Sequence, residues 1–455
     1  MTSSRLLRAL LVAVILITAL ALRIGYIEST PYHAINDAGT YNRLASMVAR
    51  TGDYDTGSGP GSGAGGSRGP TAYFPPGFPY FLAAVDVLDG HQAGHRPAVS
   101  GERIAMAVLG TATVGLIGLV GLEALGGLVA VIAMLGAAAY PVLIEQSGTL
   151  VAENLVVVLI LAALWAGLRA RRAARPHAWI AGAGVLTGLA TLTHQNAALI
   201  LIPLAFAAAG TAIARAPRGA IGRSSRRPAV GAVALLVACA AAAILPWTIR
   251  NAVELHAFVP ISTETGITVV GTYNREAAAY APVPYKWIFY IRLPEDQTLF
   301  HNAGHYTEPA LSDRLVAQTL NYIGAHPLTP LDVGWHNLQR MLELEGTAAW
   351  HDSALAIGLS VSTAQTGVIA FWILCCLAVL GAFTPAARHG PRWLWVVPVL
   401  MALSVLLVNV ETPRFRQPVE PFLVLLAACA VAAALSRVTR SSRLTPASHT
   451  SPARP

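Results

Sequence analysis

The feature that most constrains this chain is the recurrence of apolar runs long enough to cross a bilayer. A helix needs roughly 20 predominantly apolar residues to traverse a hydrocarbon core. Runs near that length fall at 6–22, 104–122, 125–144, 150–167, 179–192, 197–213, 230–245, 368–383, 393–410 and 422–435. Lipid offers the backbone no hydrogen-bond partners, so each run has to be helical. The expected fold is an all-α polytopic membrane protein with about ten transmembrane helices and both termini on one side. Composition agrees: 12% of the residues are charged and 55% are hydrophobic, where a soluble domain carries about a quarter charged residues. The run at 6–22 follows Arg5 and Arg8 and reads as an uncleaved first helix, although Ala19-Leu20-Ala21 has the form of a signal-peptide cleavage site.

The net charge of +8 is informative through its distribution. With the N-terminus in the cytoplasm, the inner segments hold Arg169, Arg171, Arg172, Arg175, the cluster from Arg215 to Arg227, Arg388, Arg392 and the tail arginines Arg437, Arg440 and Arg443. Nearly every carboxylate then falls at the outer face, Glu123 being the exception. The opposite orientation would violate the positive-inside rule. The basic clusters abut apolar spans, and no nucleic-acid motif accompanies them, which argues against nucleic acid as a partner. Cys239, Cys375, Cys376 and Cys429 all lie within apolar runs and read as small hydrophobes, without disulfide or metal spacing.

Residues 1–435 read as one transmembrane domain with two long outer segments, 25–103 and 247–358. Within the first, 57–70 is a Gly- and Ser-rich flexible insert. Residues 436–455 read as a disordered basic cytoplasmic tail. After Asn36-Asp37, apolar residues recur at helical spacing through Val48-Ala49, predicting an amphipathic juxtamembrane helix on the membrane surface, capped by Asn36 or Asp37. Tyr73-Phe74-Pro75-Pro76-Gly77-Phe78-Pro79 predicts a rigid turn in which Gly77 allows close backbone approach. Glu153, at the outer end of a span, should face a cavity or pair with a cation. Arg250, Arg414 and Arg416 break the inside rule, and a lipid-borne phosphate would give them a reason to be there. The pairs His91/His95 and His301/His305 have a spacing that can hold zinc on a helix, but they read as loop histidines.

In their order and sidedness these pieces resemble the polytopic, lipid-dependent glycosyltransferases of the C fold. The similar branch holds the bacterial protein-mannosyltransferase-like and aminoarabinose-transferase-like proteins. The resemblance is carried by Asp37 to Tyr41 with Leu44-Ala45, by Phe74 to Pro79, by the helix start at Glu153 and by Gly184 to Thr193. Pro246 to Asn251 and Arg414 to Pro421 complete it. It implies a polyprenyl-phosphate sugar donor and an acceptor lipid, glycan or protein at the outer face of the cytoplasmic membrane, with inversion at the anomeric carbon. It further implies Asp37 as catalytic carboxylate, Glu153 as second acid, and Tyr41, His194, Arg250, Arg414 and Arg416 as substrate-binding residues. Relatives often carry two adjacent acids in the first loop, whereas Ala38 follows Asp37 here. One carboxylate is a poor site for a divalent ion, so metal dependence is left open. The competing expectation, a transporter or lipid flippase, would call for polar mid-membrane helices and repeated halves, which the sequence does not display. The outer segment 247–358 is expected to be mainly helical.

Overall fold

The computed structural model describes residues 3–55, 69–90, 99–215, 223–297 and 306–444. Among these the architecture is helical, the only β pairing being an isolated bridge between Asp55 and Pro70. Seven helices are long and apolar enough to cross a membrane: Arg5–Ser29, Gly101–Ala124, Glu153–Ala170, Gln195–Ala214, Arg227–Glu254, Val361–Ala382 and Glu420–Val438. The remaining expected runs coincide with Gly127–Ala139, Pro176–Thr193 and Arg392–Leu406. Two of these are too short, by the length a helix needs, to span alone.

Close helix contact is built from small residues, because lipid supplies no hydrophobic drive between helices and van der Waals contact has to. Pro176–Thr193 lies against Arg223–Glu254 through Gly184 and Gly188, four apart on one face. A Cβ at those positions would stand 2.4 Å from the Leu236 carbonyl oxygen and 2.5 Å from that of Ala240. Arginines pin the first helix. Fully buried Arg23 donates to the Ser147 hydroxyl and to the carbonyls of Ala19 and Ala137. Arg103 donates to the terminal carbonyls of Ile27 and Thr30 and to Gly148, satisfying orphan acceptors at a helix end.

The two ends of the bundle differ in charge. Glu123, the one acid expected among the arginines, is bonded to Arg169 (2.8 Å) and Arg172 (2.7 Å). Roughly 25 Å of helix separates that end from Glu153, where the other carboxylates gather.

The outer segment is helical as expected, in Thr265–Thr272, Arg275–Ala279, Glu308–Ala325, Thr329–Met341 and Thr347–Ala356. It has a small core of its own, including Ile267, Tyr290, Leu311 and Leu315. Glu308 latches it to the first outer loop by accepting from the Thr71 hydroxyl (2.5 Å) and the Ala72 amide (2.9 Å), and accepts from Thr263 within its own segment (2.7 Å).

Several expectations change. The last helix, Glu420–Leu444, runs on through the beginning of the stretch expected to be disordered from 436. The helix Asn36–Thr51 is present, but its N-cap position is Ile35 and no side chain caps it. Its apolar face is covered by Gly77–Leu88 and the aromatic turn before it. Cys376 is exposed, Cys239 and Cys375 are half-buried, and only Cys429 is buried. Both histidine pairs, most of the 57–70 insert and the end of the tail lie outside the described residues.

Candidate active site

The site is assembled from three chain segments that end at the same level of the bundle. Asn36 sits at φ 50° and donates through its side chain to the Ala356 carbonyl (2.9 Å), a left-handed conformation that Asn tolerates better than most residues. The next residue, Asp37, lies in the first helical turn. Freed from capping, its carboxylate reaches across the molecule.

What it meets is Arg414, at the start of a short 3-10 turn preceding the last helix. Arg414 Nη1 donates to Asp37 Oδ2 at 2.7 Å, and Nε donates to Glu153 Oε1 at 2.9 Å. Glu153 is the first residue of its helix, where the helix dipole favours a negative charge. Burial is graded along this bridge: the side chains of Glu153 and Arg414 are 1% and 7% exposed, while that of Asp37 is 39% exposed. The inner pair is buried and the Asp37 carboxylate is half-exposed. The two carboxylates hold the Arg414 guanidinium well above its ordinary pKa against the opposing effect of burial.

His194 ends the Pro176–Thr193 helix, with Nε2 3.8 Å from Glu153 Oε1. Burial lowers its pKa, against the pull of the Glu153 carboxylate. Its Nδ1 and the second Glu153 oxygen, Oε2, are buried without a partner among the described residues. Buried polar atoms are rarely left unbonded, so both atoms have capacity for a ligand or water. Tyr41, one turn after Asp37, is buried against Phe74 and Phe78 at 4.6 and 5.1 Å between ring centroids. Burial pushes its phenol well above the ordinary range.

The other two arginines singled out from the sequence do not join the bridge, although Arg250 lines an apolar cavity. Arg250 donates to the backbone carbonyls of Thr71 (2.6 Å) and Tyr54 (2.8 Å) and stacks over Trp247. Arg416 is bonded to Glu420 (2.6 Å), Glu343 (2.7 Å) and the Met341 carbonyl (3.0 Å), over the ring of Phe371. Its partners form a closed, buried group apart from the Asp37 bridge.

Two acids not singled out from the sequence belong to the electrostatic environment of the bridge. Glu264 is half-buried; its carboxyl is pushed up to about 8 by burial and by the charges of Asp37 and Glu153, against Arg414. Glu411 is shifted upward by burial and by Asp37, with Arg414 opposing. Glu411 lies three residues before Arg414. Glu264 stands alone in the outer segment at a helix start, and only the fold relates it to Asp37. Among the described residues no group of three or more His, Cys, Asp or Glu side chains is disposed to hold a metal ion. The position a cation would take between Asp37 and Glu153 is filled by the Arg414 guanidinium.

The apolar cavity, of about 530 Å³, lies between the helices that carry Glu153 and His194, lined by neither bridge carboxylate but reached by Arg250. Leu155 and Thr193, neighbours in sequence of Glu153 and His194, line it together with Leu159, Leu189 and Trp247. The Pro76-Gly77 turn closes it with the close approach expected of that glycine: a Cβ on Gly77 would meet Thr193 Oγ1 at 2.5 Å.

With this geometry in place, comparison with known proteins is informative. The family described as dolichyl-phosphate-mannose-protein mannosyltransferase matches residues 74–247. No curated protein matches the sequence. The archaeal oligosaccharyltransferase AglB from Archaeoglobus fulgidus, in complex with an inhibitory peptide and a dolichol-phosphate, is similar in fold. The TM-score is 0.58 at 16% identity, covering 100% of this chain and 53% of that one. Its apo form gives a TM-score of 0.54 at 16% identity, covering 95% of this chain and 51% of that chain. ArnT from Cupriavidus metallidurans, bound to undecaprenyl phosphate, is matched at 13% identity over 98% of this chain and 81% of that one, with a TM-score of 0.41. The chain thus spans about half the length of the oligosaccharyltransferase. It has the polytopic C fold that its motifs resemble, and is a multi-pass membrane protein.

Proposed function

We propose that this chain is an inverting membrane glycosyltransferase that moves a sugar from a polyprenyl-phosphate donor to an acceptor hydroxyl on a lipid, glycan or protein. The observation that carries the reading is the bridge Asp37–Arg414–Glu153 together with an apolar cavity between the helices that carry Glu153 and His194. The bridge offers a half-open base and a guanidinium, and the cavity offers room for an isoprenoid chain.

In this reading the acceptor oxygen attacks the anomeric carbon from the side of Asp37. Its proton passes to the Asp37 carboxylate as the new C–O bond forms. The bond between the anomeric carbon and the phosphate oxygen breaks on the opposite face, and its electron pair leaves with the polyprenyl phosphate. Arg414 bonds the carboxylates through Nε and Nη1, which leaves its Nη2 edge for the phosphate, where developing charge is best stabilised. Glu153 fixes the guanidinium, and its unbonded Oε2 orients the acceptor together with His194. Tyr41 shapes the wall against the sugar. Arg250 acts at the mouth of the cavity, where it fixes the Tyr54 and Thr71 carbonyls, while Arg416 supports the turn that carries Arg414. The enzyme works in the cytoplasmic membrane with this site on the extracytoplasmic face and both termini in the cytoplasm. That placement rests on the arginine distribution.

The test is transfer of radiolabelled sugar from polyprenyl-phosphate donors by the purified chain in lipid, beside Asp37→Asn. Transfer by the wild type that falls by about 10²–10⁴-fold in the variant is the expected result for loss of a general base. Undiminished transfer by the variant would overturn the role of Asp37. Translocation of labelled lipid without transfer would favour a flippase.

A further inference from the structure

Outside the site, the most conspicuous unpartnered surface is on the outer-segment helix Thr329–Met341. Leu328, Leu331, Trp335, Leu338 and Leu342 follow one another at steps of three, four, three and four, so they form one stripe along the helix. All five are exposed, Leu331 by 70% and Trp335 by 59%. The helix presents three distinct sides. Val333, Asn337, Arg340 and Met341 are buried against the protein. The stripe comes next, and beyond it Asp332, His336 and Gln339 form a polar side.

We propose that this helix lies in the outer leaflet on the active-site side of the membrane, with the stripe against lipid. Its polar side would then face the headgroups and water. Contiguous surface selects lipid as the occupant. The buried side rests on the end of the apolar helix Arg392–Leu406: Asn337 donates to the Leu406 carbonyl (2.8 Å) and Gly334 lies against Leu407. Trp372, on the spanning helix Val361–Ala382, donates its indole N–H to the Leu342 carbonyl at 3.0 Å, at the end of the stripe. Leu403, Leu407, Trp372 and Ile373 are themselves exposed apolar residues of those elements, so the stripe continues the lipid-facing surface of the bundle. An amphipathic helix with Trp and Leu on one side and polar groups on the other inserts its apolar side by about 5–10 Å at the headgroup boundary, and Trp favours that depth.

The placement also ties lipid contact to the site. The Met341 carbonyl and the Glu343 carboxylate, at the end of this helix, hold Arg416, two residues from Arg414. The proposal rests on the chain's spanning a membrane and is independent of the reaction assigned above.

The test places spin labels singly at Leu331, Trp335 and Leu338, and at Asp332 and Gln339, in the full chain with its four cysteines replaced by alanine. A label at Ile373 serves as the lipid-facing reference in phosphatidylcholine–phosphatidylglycerol bilayers. The expected result is oxygen-favoured collision at 331, 335 and 338, like that at 373, and collision with a water-soluble nickel chelate at 332 and 339. Nickel-favoured collision along the stripe would overturn the proposal, and low accessibility to both reagents would replace lipid with a second copy or another protein. In the unmodified chain, Trp335→Phe should lower the fraction of tryptophan fluorescence quenched by brominated acyl chains. An unchanged fraction would also overturn the proposal.

Discussion

Arg414 and Arg416 stand two positions apart in one short turn and lead opposite lives. Arg416 is enclosed by Glu343, Glu420, the Met341 carbonyl and the Phe371 ring, so both carboxylates it bonds are buried inside the protein. Arg414 bonds a buried carboxylate on one side and an open one on the other. A buried ion group with every partner supplied by the protein fixes a structure; one with an open end can take part in chemistry. The sequence presents both as candidates for phosphate, with Arg414 ahead of Arg416. The difference lies in where each side chain leaves the turn.

The largest expected effects test the open group. Asp37→Asn and Arg414→Gln should each lower sugar transfer by about 10²-fold or more, with Asp37→Asn leaving the melting temperature close to wild type because Asp37 is itself 39% exposed and Arg414 keeps Glu153 as a buried partner. A parallel loss of activity and stability in Asp37→Asn would erase the contrast between the two arginines.

Arg416→Ala should instead act on folding. Removing one partner of a buried pair costs about 3–5 kcal/mol, whereas replacing the whole group with packed apolar residues is often neutral. Thermal unfolding in detergent should therefore show Arg416→Ala strongly destabilised, and a triple variant of Arg416→Met, Glu343→Leu and Glu420→Leu largely restored with transfer retained. Retained stability in Arg416→Ala would break the comparison from its other side.

A smaller effect concerns the acids around Arg414. Burial and neighbouring charge raise Glu264 from 4.5 to about 8. Between those values the folded chain keeps a proton that the unfolded chain has released, so this group makes stability fall as pH rises through the window. Melting temperatures of Glu264→Gln across that range should decline less with pH than those of the wild type. An identical slope would mean that the Glu264 carboxyl is ionised throughout.

The smallest effect is expected at the opposite end of the bundle. Arg169 and Arg172 are 46% and 65% exposed in their pairs with Glu123. Exposed pairs contribute about 0–1 kcal/mol and are screened by salt. Glu123→Gln should shift the melting temperature little, and less still at high salt.

Much of the molecule was legible along the chain because hydrophobic length and charge sidedness are one-dimensional properties. The apolar runs required a polytopic helical fold, and the arginine bias separated its two ends. Glu153 and Arg414 stood out because each placed charge where a spanning segment begins or ends, and Asp37 stood out through the resemblance of its loop. The amphipathic period of Asn36–Thr51 was also readable, but its cap was not: Asp37 has a better partner in a segment hundreds of residues away, and local rules contain no such competitor.

Only the tertiary structure decided which charges meet. Glu264 has no motif around it and enters the site because the outer segment is latched over the first loop by Glu308. Arg250, a phosphate candidate from the sequence, fastens two carbonyls of that same loop and lines the cavity. The physical reason is common to all these cases. Membrane insertion depends on properties summed over a run of residues, whereas a charged site depends on distances of a few ångströms between segments that the sequence keeps apart.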